Sequence, residues 1–413
     1  MNTNATISWR PAAAVWHHAL ALLTLLPLLA LLALTGCAAP QQTTSTDAVP
    51  LDQAITEATD SLAAQTQKLP AFIAKLDKRA LVIDPMIDSG SGQQTALTRQ
   101  IEEKVTARLA SNFAQLPVLP FRLANLNRSQ YVLTGTTTRV QNPNQKAGGP
   151  RAPFQINLAL TELKSGTVVA QASARARDDG LDATPTPYYR DSPVLVKDKV
   201  VDGYITTCQT APGQPAARDY FERLATATTI NEATLAYNAE KYQESLDLYK
   251  AALASPSGEQ LRTLNGIYLA SWKLGRMQEA EQAFGKVVAL GIANSTLGVK
   301  FLFNPGTTDF WSDSKVSGPY AFWMRQIARQ TAQAKVCMNV VGHTSRTGSD
   351  VYNEKLSAQR AAVIKQKLGI EAAELVARTR TSGVGFKENI IGTGTDDAAD
   401  SLDRRVEFKI VAC

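Results

Sequence analysis

Histidine is scarce in this chain: 413 residues hold His17, His18 and His343. The first two fall in an apolar leader, which leaves the mature chain one imidazole, His343. That excludes multi-histidine zinc sites, and a Cys/His finger has no material. Dense Lys/Arg runs are missing too. The formal charge of +6 includes Arg10 in the leader, so the remaining excess is mild and reads as solvated surface rather than a nucleic-acid patch. There is no GxGxxG, and the Ser89-Gly90-Ser91-Gly92 loop lacks the Gly-Lys-Ser/Thr of a phosphate loop. Asp396, Asp397, Asp400 and Asp403 lack the spacing of an EF-hand and read as a solvated acidic loop. His343, Ser345 and Asp350 sketch a triad, but no nucleophile elbow or oxyanion glycines accompany them. His343 therefore reads as a capping or core imidazole. No enzyme activity, catalytic residue, metal or cofactor is expected.

What is present is enough apolar material, 44% of residues, for about two to four packed domains. Residues 1–36 carry one positive charge, no acid and a Leu/Ala-rich core that stops at Leu34-Thr35-Gly36-Cys37. A core this short, followed by small residues, is a signal peptide rather than a spanning helix. The ending resembles the bacterial lipobox, which implies cleavage and lipidation of Cys37 (palmitate-type acyl chains); an ordinary signal peptide is the alternative. Ala38 after the cysteine implies, by the same resemblance, sorting to the outer membrane, facing the periplasm. Residues 37–51 are small and polar and read as a flexible tether.

Residues 52–225 read as a small α/β domain in the order β-α-β-β-β. Leu97, Ile101, Val105 and Leu109 recur every four residues and predict an amphipathic helix over 97–113. Strands are predicted at 79–83, 131–135, 154–163 and 167–176. The pattern is loosely similar to α/β domains of other outer-membrane lipoproteins that bind partners. Residues 178–208, rich in Asp, Pro, Tyr and Gly, read as a long surface loop or docking segment.

Residues 226–292 fit a tetratricopeptide-like (TPR) template, with Glu244 and Glu279, and Tyr249 and Phe284, equally spaced, close to the repeat of about 34 residues. Two readings stay open, a helical spacer and a peptide-binding groove. So few repeats rarely stand alone, so this unit is expected to pack on a neighbour.

The region 293–413 reads as an α/β sandwich. Strands are predicted at 299–303, 336–341, 380–383 and 405–411, and helices at 317–331 and 352–368. Gly342-His343-Thr344-Ser345-Arg346-Thr347-Gly348 is a strand end and tight turn leading into a helix. Asn353 and Arg360 lie seven residues apart, on one helix face. An arginine fork there suits a carboxylate or phosphate.

These residues resemble the OmpA C-terminal domain family, which includes the peptidoglycan-associated lipoproteins. Four pieces occur in order: Val299-Lys300-Phe301-Leu302-Phe303-Asn304, the Gly342-His343-Thr344 turn, the Asn353/Leu356-Ser357/Arg360-Ala361 helix, and Asp403-Arg404-Arg405-Val406-Glu407-Phe408. The resemblance implies non-covalent binding of the peptidoglycan stem peptide, with Asn304, Thr344, Asn353 and Arg360 as contacts, Arg360 taking a carboxylate, and Arg404 or Arg405 at the rim. Ser345 stands where the family usually has an aspartate that pairs with the diaminopimelate ammonium, a weaker partner for that charge. Asp350 or Glu354 are candidate substitutes. The family pocket draws on the turn after the second strand and the arginines before the last; if those strands run antiparallel, Cys337 and Cys413 meet at the far end. A disulfide between them is expected, with Cys208 left over; unpaired buried thiols are the alternative. The whole chain is thus expected to link outer membrane to cell wall and to present partner-binding domains. A regulator or assembly factor of a cell-wall synthase or envelope complex is the other reading.

Overall fold

The computed structural model describes residues 47–66, 78–140, 152–295, 297–304, 306–390 and 403–413. The leader, Cys37, most of the tether, and Asp396, Asp397 and Asp400 lie outside them. Val49, at the end of the expected tether, is already anchored: its N–H donates to the Arg175 carbonyl and its carbonyl accepts from Arg177.

Helix α1 (Leu51–Gln65) follows, then β1 (Leu81–Ile83), β2 (Ile87–Asp88), α2 (Ala96–Asn112) and β3 (Val118–Leu119). Three long strands come next, β4 (Tyr131–Arg139), β5 (Phe154–Glu162) and β6 (Val168–Ala176). The sheet order is β3-β1-β4-β5-β6, with β2 also on β4. β1 and β2 run parallel to β4, whereas β4, β5 and β6 form an antiparallel meander. The two-residue strands β2 and β3 were not anticipated, being too short to show alternation. α2 begins with a reciprocal capping box between Thr95 and Thr98, satisfying two otherwise orphaned donors. Its predicted stripe of Leu97, Ile101, Val105 and Leu109 is buried with α1 on one sheet face. Alternation divides the strands: Leu81, Ile83 and Leu133 face that layer, while Val82 and Val132 face a second one.

The second layer contradicts the loop expected at 178–208. That segment forms α3 (Pro187–Asp191) and α4 (Lys199–Cys208), and Tyr188, Tyr189, Val194, Val196, Val201 and Tyr204 are buried. Several of its polar groups are matched in the interior. The Tyr188 hydroxyl donates to the Arg262 carbonyl at 2.7 Å and its N–H to Asn238 Oδ1 at 2.8 Å. Asp198 caps α4 with one oxygen, accepting from Val200 and Val201, and accepts from the Leu261 N–H with the other.

Four helices follow, α5 (Leu224–Asn238), α6 (Tyr242–Leu253), α7 (Leu261–Lys273) and α8 (Met277–Ala293), each packed on the next. A Cβ at Gly266 would lie 2.3 Å from the Tyr249 ring, so only glycine lets α6 and α7 close. The equivalent aromatics Tyr249 and Phe284 are both fully buried.

The last region contains β7 (Leu297–Val299), α9 (Tyr320–Ala334), β8 (Cys337–Gly342), α10 (Asp350–Glu371), β9 (Thr379–Gly383) and β10 (Val406–Val411). The sheet order is β7-β10-β8-β9, with β10 antiparallel to both neighbours and β8 parallel to β9. The first strand lies earlier than the expected 299–303. Phe301 and Phe303 leave the sheet to pack on Phe310, and Phe301 also meets Tyr320 and Trp323. Val411 is opposite Cys337, and a disulfide joins Cys337 to Cys413. Cys208 is buried and unpaired.

Neither 225 nor 292 marks a break in packing. One apolar core runs from Tyr188 through α5–α8 to Phe408. Trp323 stacks on Phe284 and donates its indole N–H to Tyr268. Pro193–Leu195 lies against β7 as an added edge, through Leu195 N–H to Gly298 O and Lys300 N–H to Pro193 O. The Lys300 ammonium is buried and donates to the Tyr189 and Arg190 carbonyls; burial pushes its pKa down to about 8.

Candidate functional site

The Gly342 turn sits where α10 crosses the ends of β8 and β9. A Cβ at Gly342 would lie 2.1 Å from the Ser357 carbonyl oxygen, so the helix could not pack there over any other residue. Gly348, at φ 91°, supplies the left-handed bend before the helix. Ser349 caps it, accepting from the Tyr352 N–H. Asn353 then ties turn to helix, its amide donating to the Thr347 and Ser349 carbonyls at 2.7 and 3.1 Å. A second loop closes from the other side: Thr344 N–H donates to the Gly385 carbonyl, and Gly385 N–H donates to Ser357 Oγ.

Arg360 lies two turns further along α10, under a third loop, 304–312. Its Nε donates to the Thr307 carbonyl at 3.1 Å and its Nη2 to the Asn304 carbonyl at 3.2 Å. The guanidinium carbon is 4.9 Å from the centre of the Phe303 ring. Arg360 is only 3% exposed, so it is the floor of this loop. The Asn304 side chain is likewise engaged within the loop, donating to Phe310 O and accepting from Ser312 N–H. The Tyr352 hydroxyl lies beside Gly306. Asn304, Asn353 and Arg360 are thus gathered where loops 304–312 and 342–349 meet the first half of α10.

Thr344 and Ser345 are buried in the turn. Thr344 Oγ1 has no hydrogen-bond partner among the described residues, and Ser345 Oγ is 3.5 Å from Thr347 Oγ1. Of the two arginines left open by the sequence, Arg404 is half-buried. Arg405 is built into the flank: its Nε and Nη2 donate to Glu407 Oε1 at 2.8 and 2.7 Å, and Nη2 also reaches the Glu388 carbonyl. The Arg405 carbonyl accepts from His343 N–H. The two candidate substitutes for the missing aspartate, Asp350 and Glu354, are exposed, and Glu354 faces Lys387 at 3.4 Å.

The Arg405 flank brings His343 beside Glu407, a residue to which the sequence assigned no role. His343 Nε2 is 3.7 Å from Glu407 Oε2, an ion-pair distance rather than a hydrogen bond. Burial holds His343 below the usual imidazole range, against the pull of Glu407. Burial opposes the Glu407 carboxylate, but His343 and Arg405 outweigh it and hold its pKa at about 2. The signal for Glu407 was available, since it lies two residues from Arg405, and next-but-one residues share a side of an extended chain.

No family model matches the chain. It is 37% identical over 81 residues to photosystem I P700 chlorophyll a apoprotein A2 of Gloeobacter violaceus, covering 18% of this chain and 9% of that protein. It is also 37% identical over 76 residues to outer membrane porin F of Pseudomonas fluorescens, covering 18% of this chain and 22% of that protein. The chain therefore spans under a quarter of either relative. Among solved structures, the peptidoglycan-associated lipoprotein from Burkholderia pseudomallei is similar at 18% identity and TM-score 0.23, over 27% of this chain and 88% of that one. Part of the chain is thus similar to OmpA-like, peptidoglycan-associated and outer-membrane proteins. Among the described residues no helix is long and apolar enough to cross a membrane.

Proposed function

We propose that this chain is a non-catalytic envelope protein that binds peptidoglycan non-covalently through residues 293–413. In this reading acyl chains on Cys37 hold it to the outer membrane, each buried methylene contributing about 0.8 kcal/mol, and the region before 293 faces protein partners. The observation that carries the reading is the gathering of Asn304 with Asn353 and Arg360, which follow it by 49 and 56 positions, around one glycine turn and one loop. The Thr307 and Asn304 main-chain carbonyls that accept from the guanidinium are neutral, and a carboxylate competes well for those two donors, because charge-assisted, paired bonds are about twice as strong. A stem-peptide carboxylate entering over loop 304–312 would take Nη2 from the Asn304 carbonyl and shift that loop.

Co-sedimentation of the full chain with purified sacculi tests this. Arg360→Ala should reduce the bound fraction at least tenfold, the worth of about one charged hydrogen bond. Arg360→Lys, which keeps charge but not the fork, should fall between. Thermal melts of both variants separate lost binding from lost folding. Wild-type binding by a folded Arg360→Ala protein would overturn the proposal.

A second reading, a regulator or assembly factor for an envelope complex, is favoured by an open cleft of about 330 Å³ between α1 and α2, lined by Asp52, Ile55, Thr56, Lys104, Arg108 and Asn112. Charge reversal at Lys104 that abolishes a cellular phenotype while sacculus binding persists would support it.

A further inference from the structure

We propose that His343, Glu388 and Glu407 form a binding site for a divalent transition-metal ion of the zinc type, on the Arg405 flank of the Gly342 turn. One ligand atom from each lies within 4.8 Å of the other two. Zinc bonds of about 2.0–2.1 Å place tetrahedral ligands roughly 3.4 Å apart. The 3.7 Å between His343 Nε2 and Glu407 Oε2 is already close to that edge. Glu388, exposed on loop 383–390, has to close in by about an ångström.

The second observation is the imidazole itself. His343 is 1% exposed, and neither ring nitrogen has a hydrogen-bond partner among the described residues. A buried, unmet polar group is destabilising, and a metal bond at Nε2 would satisfy one of the two ring nitrogens. One imidazole and two carboxylates make a donor set of the zinc type with a fourth position open. Magnesium and calcium, which need about six or more oxygen ligands, are poorly served by two carboxylates.

Two cations share this flank. Arg405 holds Glu407 Oε1, leaving Oε2 for a metal. The half-exposed Lys409 ammonium lies 3.5 Å from Glu388 Oε2 and 3.9 Å from Glu407 Oε2. It competes for the same oxygens, and its long stem lets it swing away when an ion enters. A bound ion would fasten loop 383–390 to β8 and β10.

The test is titration of the metal-free full chain with zinc chloride, by calorimetry and by thermal melting, with cobalt as a spectroscopic substitute. One saturable equivalent is expected, with a raised melting temperature, tetrahedral cobalt absorption and no response to magnesium. Glu388→Gln, at an exposed position, should weaken binding about tenfold or more, as loss of an anionic ligand demands. His343→Ala should abolish it, and Lys409→Ala should tighten it. Absence of saturable zinc binding, or binding that Glu388→Gln leaves unchanged, would overturn the site; the second result places the metal elsewhere even if His343→Ala does not fold.

Discussion

Asp84 and Glu407 are both carboxylates drawn into the protein, and the two regions handle them in opposite ways. Asp84, 3% exposed at the end of β1, has no cation in hydrogen-bond contact: the field of Arg262 is the main counterweight to its burial, and the Tyr220 hydroxyl donates to it at 2.8 Å. Burial prevails and raises its pKa to about 6. Burial likewise raises nearby Glu102, which accepts from the Met86 N–H, to about 7. Glu407 is bracketed by His343 and Arg405 and stays near 2. The first region therefore suppresses charge at Asp84 and Glu102. The last region keeps its charges in reach of one another, which is the condition for exchanging an internal partner for a ligand.

Four measurements press on this contrast. The largest effect is expected from Arg405→Ala, which strands Glu407 and frees the Glu388 loop; breaking a buried pair this way is destabilising by about 3 kcal/mol or more, readable by urea denaturation. Next is the pH profile of stability. Asp84 keeps its proton in the folded state and loses it at ordinary carboxylate values when unfolded, so its contribution is full below about pH 4 and falls as pH rises to about 6. A tenfold difference in proton affinity between folded and unfolded chain is worth about 1.4 kcal/mol, so the loss is on the order of 2–3 kcal/mol. Asp84→Asn should flatten that limb. Glu407 has the reverse sign: its contribution is present above about pH 4.5 and is lost as pH falls toward 2. Stability should therefore peak between these limbs, and a flat profile would break the comparison. Third, Asp198→Ala leaves two helix starts without their acceptor, an effect of about 2 kcal/mol, and should leave sacculus binding of the folded fraction intact. The smallest effect is Ser345→Asp, which restores an anion beside the turn and should raise sacculus affinity about tenfold if an ammonium binds there; no change would place the ammonium elsewhere.

Local periodicity made α2 legible, and the turn residues made the start of α10 legible, because both are set within a few residues. The disposition of 178–208 was not. Its tyrosines and aspartates look solvated in sequence, yet their partners are Arg262, Asn238 and Leu261, some 50 to 74 positions away. The strand expected at 299–303 failed for a related reason: Phe301 and Phe303 alternate as strand residues do, but an aromatic cluster with Phe310, Tyr320 and Trp323 claims them. The site residues could be named from their types, since amide, hydroxyl and guanidinium chemistry is local. Whether a guanidinium faces solvent or props up loop 304–312 depends on where Asn304 and Thr307 fold back, and no spacing in the sequence encodes that.

The strip Pro193–Leu195 along β7 has a practical corollary. A fragment begun at residue 293 to isolate the C-terminal region would strip this border and leave bare the Gly298 carbonyl and the Lys300 amide, together with the aromatic patch that α8 shields. Such a piece is a template for self-association. Insolubility on expression would then reflect where the cut was made, not a failure of the region to fold. Beginning at residue 187 would keep the border but bare the face of Val201, Tyr204 and Tyr220 that packs on Val82 and Val132, so the full body from residue 47 is the version to purify.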